Sequence, residues 1–135
     1  MTERQSLLMD TVAAIALLNQ DAAALEMVKS SEVFLSCIVV GELQFGAENS
    51  TRREQNLAKL AQFLEGQVIL PVDRLTSTYY GYIKRLLKQK GRMIPANDIW
   101  IAATAVQYDL TLMSQDAHFN AVDGLAVSIW QPSTE

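Results

Sequence analysis

Cysteine is nearly missing from this chain, and its scarcity excludes a good deal. The single Cys37 rules out an intramolecular disulfide and any multi-cysteine zinc site, and it fits a reducing cytoplasm. Set within FLSCIVV, it reads as a small core residue. Long apolar runs are missing too. None approaches the roughly 18 residues that span a bilayer, so the sequence reads as a soluble protein with no membrane partner. The N-terminal MTERQSLLMD begins polar, with Glu3 beside Arg4, and its apolar stretch is broken by Asp10. It reads as a first strand, not a secretory signal. No GxGxxG, Walker, HExxH or GxSxG pattern occurs, which removes dinucleotide, P-loop, zincin and serine-hydrolase readings. There is no internal repeat, low-complexity tract or Gly/Ser linker, and Pro71, Pro95 and Pro132 all fall between expected elements.

Acidic residues are missing from one long stretch. The net charge is −4, which argues against indiscriminate nucleic-acid binding. Yet between Arg74 and Asn97 there is no Asp or Glu, while Arg74, Lys84, Arg85, Lys88, Lys90 and Arg92 supply over half of the 11 positive charges. A local positive face on an acidic protein suits a phosphate backbone. The ordinary alternative is a solvated helix face.

What is present is a core. At 135 residues and 50% hydrophobic, the sequence fits one domain covering 1–135. Apolar patterning predicts strands at Ser6–Met9, Val33–Leu35, Val68–Leu70, Leu110–Met113 and Val127–Trp130. Between them it predicts helices at Thr11–Asn19, Asp21–Ser30, Ile38–Glu48 (with Ser36 as N-cap), Arg52–Glu65 and Asn97–Tyr108. A further long helix carries Thr76, Tyr79, Tyr80, Ile83, Leu86 and Leu87 on one face and ends near Gly91, with the basic residues mostly off that face. Strands alternating with helices imply an α/β fold: a central, mostly parallel sheet in three layers, flanked by helices.

Four acids end apolar runs: Asp10 in LLMDT, Glu42 in IVVGEL, Asp98 in IPANDIWIAA and Asp116 in LMSQDAHF. No lysine or arginine lies within three residues of any of them. A carboxylate buried in such a run is unfavourable unless something compensates it. Brought together, four of them would repel one another and hold protons unless a divalent cation sat among them. That pattern points to a metal-dependent phosphodiester hydrolase. Each acid also has a plainer reading. Asp10 and Asp98 suit helix N-termini, and Asp116 suits a turn. Glu42 resists one, because it shares a helix face with Ile38, Val39 and Phe45, the face expected to be buried. Asp10, Glu42 and Asp116 all follow strand ends, the rim where open α/β sheets bind ligands; Asp98 joins them only if the topology allows. Thr11, Asn97 and Ser114 are candidates to hold a carboxylate or a water by hydrogen bonds. His118, the lone histidine, reads as structural, since a site of hard oxygen ligands does not require it.

At these residues the chain resembles the PIN-domain ribonucleases, most closely the VapC-type toxins of bacterial toxin–antitoxin pairs. LLMDT resembles the family's opening strand and first acid. VVGELQFGAENS is similar to its second motif, with Glu42 and Gly46, and IPANDIWIAATA to its third, with Asp98. LTLMSQDAHFNAVDGLAV resembles the fourth, with Asp116 and Phe119. The first motif usually reads Asp-Thr-Asn, and Val12 stands here in the Asn place; Ser114 stands where Thr is common.

The resemblance implies a PIN-like fold and RNA hydrolysis with Mg²⁺ or Mn²⁺ in the cytoplasm, leaving 5′-phosphate ends. Asp10, Glu42 and Asp98 would hold the metal, and Asp116 would bind a second one or orient the water. Lys84, Arg85, Lys88, Lys90 and Arg92 are the RNA-binding candidates. The resemblance also implies a homodimer and a small cognate antitoxin that covers or enters the acidic crevice. The rival expectation is a PIN-like protein that binds RNA or a partner without cutting, and Val12 is the feature pointing that way.

Overall fold

The computed structural model describes residues 5–131; Glu3, Arg4 and Pro132 lie outside them. In chain order, β1 (Gln5–Met9) is followed by α1 (Thr11–Leu18) and α2 (Ala22–Val28), and β2 (Ser31–Ser36) by α3 (Cys37–Glu48) and α4 (Arg53–Glu65). After β3 (Val68–Leu70) come α5 (Arg74–Lys90) and α6 (Ala96–Gln107). β4 (Thr111–Ser114) leads through a 3-10 helix, Ala117–Ala121, to β5 (Val127–Ile129). All four strand pairings are parallel, in the order β3-β2-β1-β4-β5. The α/β expectation therefore holds, with helices flanking a five-stranded sheet.

The order of the strands decides where a site can form. From β1 the chain steps outward through β2 to β3, then α5 and α6 carry it back to β4 on the other side of β1. The connections leaving β1 and β4 thus diverge, opening a crevice at the carboxyl ends of these two strands. β1 is the central strand, and Leu7, Leu8 and Met9 are wholly buried, as a parallel strand covered on both faces requires.

α3 and α5 each bury one stripe. On α3 it is Val39, Leu43 and Ala47; on α5 it is Thr76, Ile83 and Leu87. α6 is buried almost all round from Ile99 to Ala105 and packs against α5. The ends are chemically marked. Ser36 caps α3 by accepting from the Val39 N–H at 3.2 Å, as its sequence position suggests. Asp73 and Thr76 form a reciprocal capping box on α5, and Gly91 ends that helix in the left-handed region at φ 67°, where a side chain would be strained. No single helix among the described residues is long and apolar enough to cross a membrane.

Three sequence expectations need correction. Cys37 is exposed: it opens the first turn of α3 and is not part of the buried stripe of Val39, Leu43 and Ala47. Phe45 is 68% exposed, so the Glu42 flank of α3 is not its buried face. The i, i+4 stripe Val39–Leu43–Ala47 takes that place and turns Phe45 toward solvent. The fourth strand starts at Thr111, since the Leu110 N–H is still bonded to the Ala105 carbonyl at the end of α6.

Candidate active site

Asp10 is the first residue past β1, and its backbone N–H donates to the Met113 carbonyl at 3.1 Å, tying it to β4. Its side chain is the N-cap of α1: Oδ1 accepts from the Ala13 N–H at 2.9 Å. The plain helix-cap reading is therefore correct, but it accounts for only one oxygen. Oδ2 accepts from the Ser114 hydroxyl, on the last residue of β4, at 2.6 Å. The residue is only 5% exposed. Burial pushes its carboxyl above the ordinary value of 3.8, while the Ser114 and Ala13 bonds pull the other way and the charge of Asp116 adds to the rise.

Glu42 approaches from α3, where its Oε1 accepts from the Thr11 hydroxyl at 2.7 Å. Asp98 sits in the first turn of α6, favoured there by the helix dipole and half-buried. Its carboxyl is also pushed up, first by burial and then by the charges of Glu42, Asp10 and Asp116, with His118 opposing. Asp116 caps the 3-10 helix: Oδ1 accepts from the His118 N–H at 3.0 Å, and its own N–H donates to the Ser114 hydroxyl at 2.9 Å.

All four acids line one cleft of about 260 Å³, together with Thr11, Val12, Gln115 and Phe119. The topology thus brings Asp98 to the same rim as the other three. Ser114 and Thr11 hold carboxylates, as their positions suggest. Asn97 lies next door, in a wider cleft of about 560 Å³ shared with Thr11, Cys37, Ile38, Gly41, Glu42 and Phe45. Val12 is half-exposed at the rim, and the bonds holding Asp10 and Glu42 come from Ala13, Ser114 and Thr11 instead.

The chain is 33% identical to "Ribonuclease VapC2" of Rickettsia felis over 105 residues, 77% of this chain and 78% of that one. It is 35% identical to "Ribonuclease VapC2" of Haemophilus influenzae over 102 residues, 75% and 77% of the two chains. Residues 7–125 match the PIN domain family. This chain is a PIN-domain protein of the VapC type. Solved structures agree: it superposes on a chain of VapBC2 from Rickettsia felis bound to a promoter DNA fragment with a TM-score of 0.86 at 30% identity, covering 94% of this chain and all of that one. For DNA-bound VapBC from Salmonella typhimurium the TM-score is 0.87 at 25% identity, covering 94% and 99%.

The PIN domain's donor set suits a hard divalent cation, because the cleft offers carboxylate oxygens whose mutual repulsion a cation would relieve. Among the described residues, no three His, Cys, Asp or Glu side chains already stand as a metal's ligands would. Beside Asp98 and Asp116 stands His118, the residue that sequence reasoning set aside. Its Nε2 is 3.1 Å from Asp98 Oδ2 and its Nδ1 is 2.8 Å from Asp116 Oδ2. Its place two residues after Asp116 in a 3-10 turn was the only signal, and spacing alone does not show which way the ring points.

The basic stretch divides. Lys84, Arg85, Lys88 and Arg92 are exposed, and Lys84 leans over the Tyr80 ring at 5.4 Å, which stacks on Trp100 at 4.0 Å. Lys90 is engaged otherwise: Nζ donates to the Ala121 carbonyl at 2.9 Å and pairs with Asp123 at 2.7 Å.

Proposed function

We propose that this protein is a metal-dependent endoribonuclease, the toxin of a toxin–antitoxin pair, hydrolysing RNA to leave 5′-phosphate ends in the cytoplasm. The observation that carries the reading is the convergence of Asp10, Glu42, Asp98 and Asp116 on one cleft. Relatives named as ribonucleases support RNA as the substrate class, among them a "tRNA(fMet)-specific endonuclease VapC" of Shigella flexneri, 31% identical over 97 residues.

Asp10, Glu42 and Asp98 would hold Mg²⁺ or Mn²⁺, with Asp116 beside them toward a second cation or the water. Such a cation supplies a more acidic water and a counter-charge for the scissile phosphate. The chain's own residues prepare the place. Ser114 and Ala13 occupy both Asp10 oxygens with donors, favouring the ionised carboxylate against its burial. Thr11 fixes one Glu42 oxygen through its hydroxyl. Lys84, Arg85, Lys88 and Arg92 would hold RNA through its phosphates, without reading bases.

VapBC assemblies among the structural relatives support a small antitoxin as partner, and we place a homodimer in the same reading. A mostly apolar groove lined by Ile15, Leu18, Leu43, Gly46, Ala47 and Leu60 reaches Glu42, so an antitoxin segment lying there would end at the acidic cleft. The test is expression of wild type and Asp98→Asn in bacteria, with mapping of new 5′-phosphate RNA ends. Ends unique to wild type support the reading. Products with 2′,3′-cyclic phosphate overturn the mechanism, and equal patterns from two folded, abundant proteins leave the non-cutting binder in its place.

A further inference from the structure

We propose that His118 is a nitrogen ligand of this site, and that it biases the site toward Mn²⁺ over Mg²⁺. The inference rests on the metal reading above and concerns which cation is held. His118 lies with one ring nitrogen toward each of two acids, Nε2 at 3.1 Å from Asp98 Oδ2 and Nδ1 at 2.8 Å from Asp116 Oδ2. The two approaches differ in kind. Nε2 is fully enclosed and, among the described residues, makes no hydrogen bond in spite of its closeness to Asp98. Two donor atoms side by side, near each other but not aimed at each other, are what a shared third atom requires. With metal–ligand bonds of about 2.1 Å, adjacent octahedral donors stand about 3.0 Å apart.

Asp116 explains the orientation of the ring. Its Oδ1 accepts from the His118 backbone N–H, and its Oδ2 faces Nδ1. With Nδ1 facing that carboxylate, Nε2 is the ring nitrogen turned toward Asp98. This is the carboxylate–histidine arrangement that fixes the tautomer of metal-bound imidazoles. Phe119 lies against the ring at 4.6 Å and limits its rotation. Both Asp116 oxygens thus face His118, Oδ1 its backbone N–H and Oδ2 its ring.

The consequence is selectivity. Mg²⁺ binds oxygen and gives up its water reluctantly, so an imidazole adds little for it. Transition-metal dications gain affinity from nitrogen, and Mn²⁺ shares that gain while keeping octahedral geometry and oxygen ligands.

The test uses the 135-residue chain without a tag, in which His118 is the single histidine. Mn²⁺ binding is followed by loss of the free-ion EPR signal, and nitrogen ligation by electron spin-echo modulation in protein carrying ¹⁴N or ¹⁵N histidine. The expected result is a directly bound nitrogen whose coupling changes with the isotope. In His118→Asn the coupling vanishes and the Mn²⁺-over-Mg²⁺ preference, measured by Mg²⁺ competition, falls about tenfold. Asp116→Asn keeps the coupling but weakens the preference. Bound Mn²⁺ with no nitrogen coupling in wild type overturns the role of His118 alone. No bound Mn²⁺ in wild type at millimolar metal overturns the metal reading of the site, and this inference with it.

Discussion

Ser114 and Asp10 stand 104 residues apart in sequence, yet the serine hydroxyl donates to the aspartate at 2.6 Å in the interior. The bond joins the ends of the neighbouring strands β1 and β4, so it fixes the floor of the acidic cleft.

Ser114→Ala should therefore act on chemistry as well as on stability. The hydroxyl lowers the pKa of a carboxyl that burial raises, so its loss pushes Asp10 higher still. Cleavage should fall about tenfold at neutral pH, and the acid limb of the pH–rate profile should move to higher pH. Initial rates from pH 5 to 8 check this; an unmoved acid limb with full activity would separate Asp10 from the reaction.

The raised acids also make stability depend on pH. Asp10 and Asp98 titrate above 3.8 in the folded protein, so over the interval just above that value the folded state binds protons the unfolded chain has released. In metal-free protein, these two groups should make stability decline as pH climbs through that interval and recover as pH falls back through it. Asp73, at the α5 cap, is shifted down and contributes the opposite slope, confined below 3.8. Asp10→Asn keeps a capping side chain and removes the buried charge, so it should raise the metal-free Tm at neutral pH. Added Mn²⁺ should stabilise the wild type, by about 2.7 kcal/mol at a hundredfold excess over Kd, and the variant much less. Thermal melts at pH 5 and 7, with and without metal, decide the matter.

Neutralising the α5 cations should separate binding from folding. Replacing Lys84, Arg85 and Lys88 by alanine should reduce the slope of log affinity for RNA against log salt by up to about 0.7 for each phosphate no longer neutralised. Lys90→Ala should leave that slope alone and cost about 1 kcal/mol, since the Lys90 ammonium is held by Asp123 and the Ala121 carbonyl. Salt titrations of binding and urea melts give the two readouts. An unchanged slope in the triple variant returns those residues to a solvated face.

The apolar groove offers a test of the partner. Ile15 is 42% exposed on its rim. Ile15→Glu places a charge against any apolar segment seated there and should weaken co-purification of the neighbouring gene's product more than tenfold. Undiminished capture would place the antitoxin elsewhere.

Much of this was legible in the residues. Strand and helix periods, the Ser36 cap and the Gly91 stop are local properties, so they can be read from neighbours in the chain. The four acids stood out because each interrupts an apolar run without a nearby cation. Tertiary structure decided the rest. Whether Asp98 joins the other acids depends on β4 lying beside β1, a long-range choice that no local pattern encodes. The faces of Cys37 and Phe45 depend on which stripe of α3 meets the sheet, and two apolar stripes competed there. His118 illustrates the limit most clearly. Its residue type was visible from the start, but the direction of its ring is set by a 3-10 turn and by two carboxylates, one of them twenty positions away. Chemistry-bearing residues can be found by their local misfit, whereas their pairing is settled only when the sheet closes.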